Sequence, residues 1–223
     1  MKPPSIPLRY TLMTYRLDQF WLPAAFWALF LFMAWLMRNQ ANVDNVVDAF
    51  LCGALPLMSG VLSAYTILDD PALELQFSSP RSAWSTIFQR LGLIFSVVVV
   101  VALSYQALVA AIGIDPFAPV TITERQLHWL IPCLALSALG CMAALALAQS
   151  TFGAMLVGLV WIFQMIAQGW FVYNPTARLF FLFIGAFAPD HPQRAWTYLT
   201  VSTLVIPLLV IAWVLLKKQE RYI

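Results

Sequence analysis

Six long apolar segments constrain this chain more than any other feature of its sequence. Each is close to the roughly 20 residues that an α-helix needs to cross the hydrocarbon core of a bilayer. None has Asp, Glu, Lys or Arg in its interior. Because lipid offers no partner for backbone N–H and C=O groups, such segments must be helical. The predicted spans are 20–37, 49–68, 91–112, 127–148, 151–172 and 195–216.

The composition agrees with a lipid environment. Of the 223 residues, 62% are hydrophobic and only 10% are charged, whereas soluble domains are about half apolar and a quarter charged. We therefore predict an all-α integral membrane protein with a single transmembrane domain over residues 1–223. The net charge of +2 and the absence of a basic cluster with interleaved aromatic residues argue against a nucleic-acid partner.

A seventh apolar run, 179–189, is too short to cross a membrane. It lies between Asn174-Pro175 and the sequence Pro189-Asp190-His191-Pro192. Apolar runs of about 10–14 residues are more often re-entrant or interfacial than spanning. We expect this run to enter the membrane between spans five and six and to return to the same side.

The distribution of Lys and Arg predicts the orientation of the spans. With the N-terminus inside, eight of the twelve basic residues fall on the cytoplasmic side and four on the outer side, as the positive-inside rule requires. Six spans then place both termini in the cytoplasm of a multi-pass protein. The first run is longer than the apolar core of a signal peptide, and no A-x-A-like site follows it, so we expect it to be retained.

The stretch 70–90, between spans two and three, is longer than a simple turn requires. Asp-Asp-Pro at 69–71 is typical of a helix start, and Ser79-Pro80 then interrupts the helix. A second, amphipathic helix is predicted to lead into the third span, with an apolar face formed by Trp84, Ile87, Phe88 and Leu91. The stretch is either an interfacial elbow that only turns the chain or a docking surface for a cytoplasmic partner.

The sequence E-L-Q-F-S-S-P-R-S at 74–82 resembles the loop between spans two and three of the ABC type-2 export permeases. That family has an acidic residue, a few apolar residues and then a small-Pro-polar step at this place. The layout is also similar: six spans with both termini inside, an amphipathic segment before the first span, like 9–19 here, and a re-entrant segment between spans five and six.

The resemblance implies a function and partners. In that family the loop forms a coupling helix that docks on a separate ATPase subunit with a P-loop. Carried over, the docking residues would be Glu74, Leu75, Phe77, Pro80 and Arg81. The chain would be the permease subunit of an ABC exporter in the plasma membrane, paired with a second permease subunit, identical or homologous. ATP and Mg²⁺ would be bound by the ATPase, and no cofactor is expected on this chain.

The residues themselves also suggest that the energy for transport comes from another chain. There is no G-x-x-x-x-G-K-[ST] loop to hold nucleotide phosphates. No ionisable group in a span interior could carry a coupled ion. Gln164 and Gln168 would share one face of the fifth span, where they either line a translocation path or hydrogen-bond between helices of one subunit.

Two other classes of protein stay open as alternatives. A membrane scaffold or sensor would explain the spans and the elbow. An intramembrane hydrolase would need a nucleophile such as Ser59 beside a base, but His128 lies at a span end and His191 lies in a loop. The cysteines Cys52, Cys133 and Cys141 have no paired spacing and are expected to be buried thiols. The stripe Gly140-Ala144-Ala148 is expected to pack helices within the subunit.

Overall fold

The computed structural model describes residues 21–40, 42–69, 83–116 and 120–217. Every regular element in these ranges is helical. In chain order they are α1 (Trp21–Leu36), α2 (Val43–Asp48), a π-helical turn (Ala49–Ala54), α3 (Leu55–Leu68), α4 (Ala83–Ala111), α5 (Ile122–Leu147), α6 (Ser150–Ile166), α7 (Gln168–Tyr173), α8 (Pro175–Arg178), α9 (Ile184–Phe187) and α10 (Arg194–Leu216).

Four helices in the described ranges are long and apolar enough to cross a membrane. They are Val43–Thr66, Ile87–Ala111, Ile122–Leu147 and Arg194–Leu216. The apolar helices α1 and α6 are shorter, with 16 and 17 residues. For the described residues, the prediction of an all-helical fold with helices able to span a membrane is therefore confirmed, while the count of six spans remains a prediction.

Helix α5 lies at the centre of the bundle and packs against α3, α6 and α10. Glycine permits the closest approaches. A Cβ on Gly140 would collide with the carbonyl oxygen of Gly60 on α3, and a Cβ on Gly153 of α6 would lie 2.7 Å from the Cα of Ala144. Gly140 and Ala144 therefore pack helices within the subunit, as expected from the small-residue stripe.

Two of the predicted spans begin earlier than their hydropathy suggests. The helix of the second predicted span starts with α2 at Val43 instead of residue 49. Helix α5, in the fourth predicted span, starts at Ile122 instead of residue 127. The start of α5 is set by a capping box in which the Thr121 side chain accepts from the Glu124 backbone N–H while the Glu124 carboxylate accepts from the Thr121 N–H. At α5, capping of the backbone decides where the helix begins, whereas α2 starts after Asn42 without a side-chain cap. The N-terminal turns of these helices therefore contain charged residues that precede the predicted spans, namely Asp44 and Asp48 in one helix and Glu124 and Arg125 in the other.

The predicted fifth span, 151–172, is not one continuous helix. Helix α6 ends at Ile166, and the backbone leaves the ideal helical geometry at Ala167, with φ −88° and ψ 16°. The short helices α7 and α8 follow. The run 179–189 contains only the one-turn helix α9, and Phe181, Phe183 and Ile184 are buried in the bundle. Gln164 of α6 forms hydrogen bonds with the backbone of this run, close to the break at Ala167.

The amphipathic helix predicted before the third span is continuous with that span. Helix α4 covers 29 residues from Ala83 to Ala111 without interruption. Ile87 is fully buried, whereas Phe88 is largely exposed. The expected apolar face therefore divides between the core and the outside of the bundle.

Candidate functional site

A long groove that could hold a ligand runs along α2, the π-helical turn and α3. Its volume is about 780 Å³. The wall from α1 is aromatic, with Phe26 and Phe30. Trp161 of α6 and Phe187, the last residue of α9, close the other sides. Pockets of this size and character are typical of sites for small organic molecules.

An ion pair lies at one end of the groove. The guanidinium of Arg125, at the start of α5, donates from Nη1 to the Oδ1 of Asp48, the last residue of α2. The Arg125 side chain is only 3% exposed, while the Asp48 side chain is 32% exposed and forms part of the groove wall. The Asp48 carboxylate thus offsets the charge of the buried arginine. The same carboxylate lines this end of the groove.

The turn after Asp48 is π-helical, and it lines the groove with small side chains. Ala49, Cys52 and Gly53 all belong to the groove wall. A π-helical turn changes the backbone hydrogen-bond register, and such turns occur frequently at functional sites. The carbonyl of Gly53 accepts a hydrogen bond of 2.9 Å from Nε1 of Trp161 on α6. This bond joins the widened turn to the opposite wall of the groove.

A layer of charged and polar side chains covers the end of the bundle where Asp48 lies. Arg194 of α10 pairs with Glu124. Arg178 donates from Nε to the Val172 carbonyl at 2.8 Å and from Nη1 to Gln193 Oε1 at 2.9 Å. The Arg178–Gln193 bond joins the two ends of the segment 174–193, and the Arg194–Glu124 pair joins its C-terminal end to α5.

Gln164 and Gln168, the predicted path residues, have different surroundings. Gln164 is buried, and its amide accepts from the Leu182 N–H at 2.9 Å and donates to the Phe180 carbonyl at 3.2 Å. Gln168 lies beyond the break at Ala167 and is exposed. The two amides therefore do not form one polar face, and neither is among the residues that line the groove. Gln164 instead satisfies the backbone of the 179–189 run within the subunit.

The predicted docking residues Glu74, Leu75, Phe77, Pro80 and Arg81 lie outside the described residues. The positions next to this stretch are tied to the bundle. The Ser150 hydroxyl at the start of α6 donates to the Asp69 carboxylate at 2.6 Å. Arg90 of α4 donates from Nη1 to the Thr66 carbonyl at 3.3 Å. Both ends of the stretch are thereby connected to helices of the bundle.

Ser59 has the surroundings of a packing residue. Its side chain is fully buried, and its hydroxyl is directed at the backbone carbonyls of Pro56 and Cys133, at 2.8 and 3.2 Å. A serine nucleophile needs a base to receive its proton, and no histidine contact to this hydroxyl occurs in the part of the chain that the structure describes. The three cysteines are buried free thiols, as predicted.

Metal-ligating residues do not gather in the described ranges: no group of three or more His, Cys, Asp or Glu side chains could hold an ion there. The Asp48 and Glu124 carboxylates are instead paired with arginines.

Asp48 and Arg125 were missed because hydropathy places both outside the spans. Two local features could have indicated that both residues belong to helices. Val43 to Asp48 forms a helix with its acidic residues four apart, at Asp44 and Asp48, and Thr-x-x-Glu at 121–124 is the capping-box sequence. Neither signal predicts that the two helices meet at these residues, which are 77 positions apart.

No family model matches the chain, and neither a curated protein nor a solved structure is similar enough to count as a match. The function proposed below accordingly rests on the sequence and on the geometry of this chain.

Proposed function

We propose that this protein is the membrane-spanning permease subunit of an ATP-driven exporter, and that the groove belongs to its translocation path. The observation that carries the proposal is the groove itself, an apolar channel-like space with a carboxylate at one end. From Asn45 to Val61 it follows 17 residues of helix. At 1.5 Å for each of the 16 intervals this is at most about 24 Å, and slightly less because the π-helical turn is more compressed. That length is most of the thickness of a hydrocarbon core.

Energy is supplied by a separate ATPase that docks on the cytoplasmic stretch 70–90. The sequence of this chain has no phosphate-binding loop. A movement of the docking stretch would be transmitted to the groove through two hydrogen bonds. The Asp69–Ser150 hydrogen bond joins the end of α3 to the start of α6, and α6 carries Trp161, which bonds to the π-helical turn.

The proposal includes the expected topology and assembly. Six spans, with α1 and α6 completing the four long ones, place both termini in the cytoplasm and the polar layer at the outer side of the plasma membrane. The permease works as a dimer with an identical or homologous subunit. Exposed apolar side chains on α1 and α6, such as Phe32, Leu159 and Phe163, face lipid or that second subunit.

Co-purification of a P-loop ATPase with the chain tests the function directly. We expect Glu74→Lys and Arg81→Glu to weaken the ATPase association and transport, because an unpaired charge buried at an interface costs about 2–5 kcal/mol. Phe77→Ala should weaken both by removing an aromatic anchor, typically about 2 kcal/mol or more at a hot spot. The measurement is ATPase recovered with the tagged chain at equal expression, together with export activity.

Gln219→Ala, at the cytoplasmic end of the chain and outside the docking stretch, is the control. If all three docking variants retain the ATPase and export as well as this control, the stretch is only an elbow. A membrane scaffold would then be the better description of the protein.

Accessibility labelling tests the re-entrant path of residues 179–189. Single cysteines at Thr176 and Pro192, both exposed, should react with an impermeant thiol reagent in intact cells, as should one at Thr123. A cysteine at Gln76 should be shielded. Asn174 and Gln193 are unsuitable positions because their side chains cap α8 and bind Arg178. Labelling of only one of Thr176 and Pro192 would mean that the run crosses the membrane and would contradict the proposed topology.

A further inference from the structure

We propose that the groove binds an amphipathic organic monocation, with its charged group beside Asp48 and its apolar or aromatic body along the walls from α1 and α6. As a statement about the transported substrate, this rests on the proposed function. As a statement about binding, it can be measured on the chain alone, without transport or an ATPase.

The charge at the groove end favours a cation. Asp48 is the one carboxylate among the described lining residues, and none of those residues is basic. The positive partner, Arg125, lies behind Asp48 with its side chain nearly inaccessible, so a ligand in the groove meets the carboxylate first. Asp44, one helical turn earlier, adds a second negative charge, and the three side chains together carry a formal charge of −1. A single positive charge on the ligand would neutralise this end.

The remaining walls favour an apolar and partly aromatic body. Phe26, Phe30, Trp161 and Phe187 supply ring faces and edges. Aromatic rings attract cations as well as apolar groups. A strongly polar cargo would lose its hydration along this length without finding hydrogen-bond partners.

The small side chains of the π-helical turn make room for that body next to the carboxylate. Ala49 is exposed to the groove, and Cys52 and Gly53 follow on the same wall. A Cβ on Gly53 would already lie 3.6 Å from Cε of Met165, so a larger residue there would narrow the groove. The carboxylate and the free space thus lie on one helical face, so that a bulky apolar cation placed there would contact both.

An inorganic cation fits this site less well. Divalent ions in proteins take several oxygen ligands, and the groove wall has one carboxylate, already bonded to an arginine. An anion in the groove would be repelled by the Asp48 carboxylate and would meet no basic side chain among the described lining residues. The groove could also be covered by a second copy of this chain, which is an outcome that the experiment must separate.

Binding of tetraphenylphosphonium to the purified chain in lipid nanodiscs tests the proposal. Its isosteric counterpart tetraphenylborate has the same four phenyl rings with a negative charge. We expect saturable binding of the cation above the level of empty nanodiscs, and no saturable binding of the anion. Asp48→Asn should weaken cation binding at least about thirtyfold, as expected for the loss of a desolvated charge partner.

Because Asp48→Asn also removes the carboxylate that pairs with Arg125, a second variant keeps the ion pair intact. Ala49→Trp fills the groove and should weaken cation binding by at least about tenfold, since it removes the space that the ligand occupies. The matched control is Ala107→Trp, an equally large change at an exposed position of α4 that does not line the groove.

Three results would overturn the proposal: equal or tighter binding of tetraphenylborate, no saturable cation binding by folded chain, or unchanged binding in Ala49→Trp. If that variant instead converts a dimer to a monomer while cation binding persists, the groove is a subunit interface. The proposed function is judged separately. An ATPase that co-purifies with a chain unable to bind the cation would leave the transport role standing and reject only the substrate class.

Discussion

Asp48→Ala is expected to lower the free energy of unfolding by about 3–5 kcal/mol, because it removes the carboxylate that pairs with a buried guanidinium. The Arg125 side chain is only 3% exposed and pairs with Asp48 from a different helix. Removing the carboxylate therefore leaves a desolvated positive charge between α2 and α5. Denaturant unfolding or thermal inactivation of the purified chain in mild detergent measures the loss.

Removing both charges should restore much of that stability. In Asp48→Ala/Arg125→Met no charge is left to be desolvated, and the straight methionine side chain occupies part of the arginine volume. Asp190→Ala, at an exposed aspartate, is the control and should be close to neutral. The single variant Arg125→Met is measured as well. If the double variant loses as much free energy of unfolding as the two single variants together, the two charges do not stabilise each other.

Gly140→Ala is expected to disrupt the contact between α3 and α5. A Cβ at this position would collide with the backbone carbonyl of Gly60, which cannot move aside as a flexible side chain could. The helices must separate, at a cost of about 1–3 kcal/mol for an overpacked core. Gly140→Leu should be worse and reduce the amount of folded protein. Thermal stability by fluorescence-detected size exclusion gives the comparison.

Gly158→Ala is the matched control for this substitution. Gly158 also lies inside a helix, but a Cβ there meets no atom within 4 Å. Alanine should therefore be tolerated, or stabilise α6 by about 0.5–1 kcal/mol through its higher helix propensity. If Gly140→Ala is as stable as Gly158→Ala, the close approach of α3 and α5 is not what holds the bundle together.

Both effects concern contacts between helices that are distant in the chain, and this separates what the sequence could predict from what it could not. The small-residue stripe at Gly140 and Ala144 indicates that some helix comes close, since small side chains allow backbones to approach. It does not say which helix. Gly60 and Ala64, which lie next to Gly140, form a similar pair of small residues four apart. Other segments contain such pairs as well, for example Ala154 and Gly158, so the pattern alone does not select the partner helix.

The candidate site was predicted less well than the fold. The amides Gln164 and Gln168 were expected to share a face of one continuous helix. The structure breaks that helix at Ala167 and uses Gln164 to satisfy the backbone of Leu182 and Phe180. No proline marks the break within 151–172, so a local pattern could not predict it. The groove, likewise, is formed by four separate parts of the chain.

The sequence by itself determined that this protein is a bundle of membrane helices, because each apolar segment satisfies its own backbone hydrogen bonds and needs only lipid or another helix around it. Which charges lie within those helices was decided by tertiary structure. Asp48 and Arg125 are tolerated there because they meet across 77 residues of chain, and the energy of burying a charge depends on the partner it finds. Local sequence does not contain that partner.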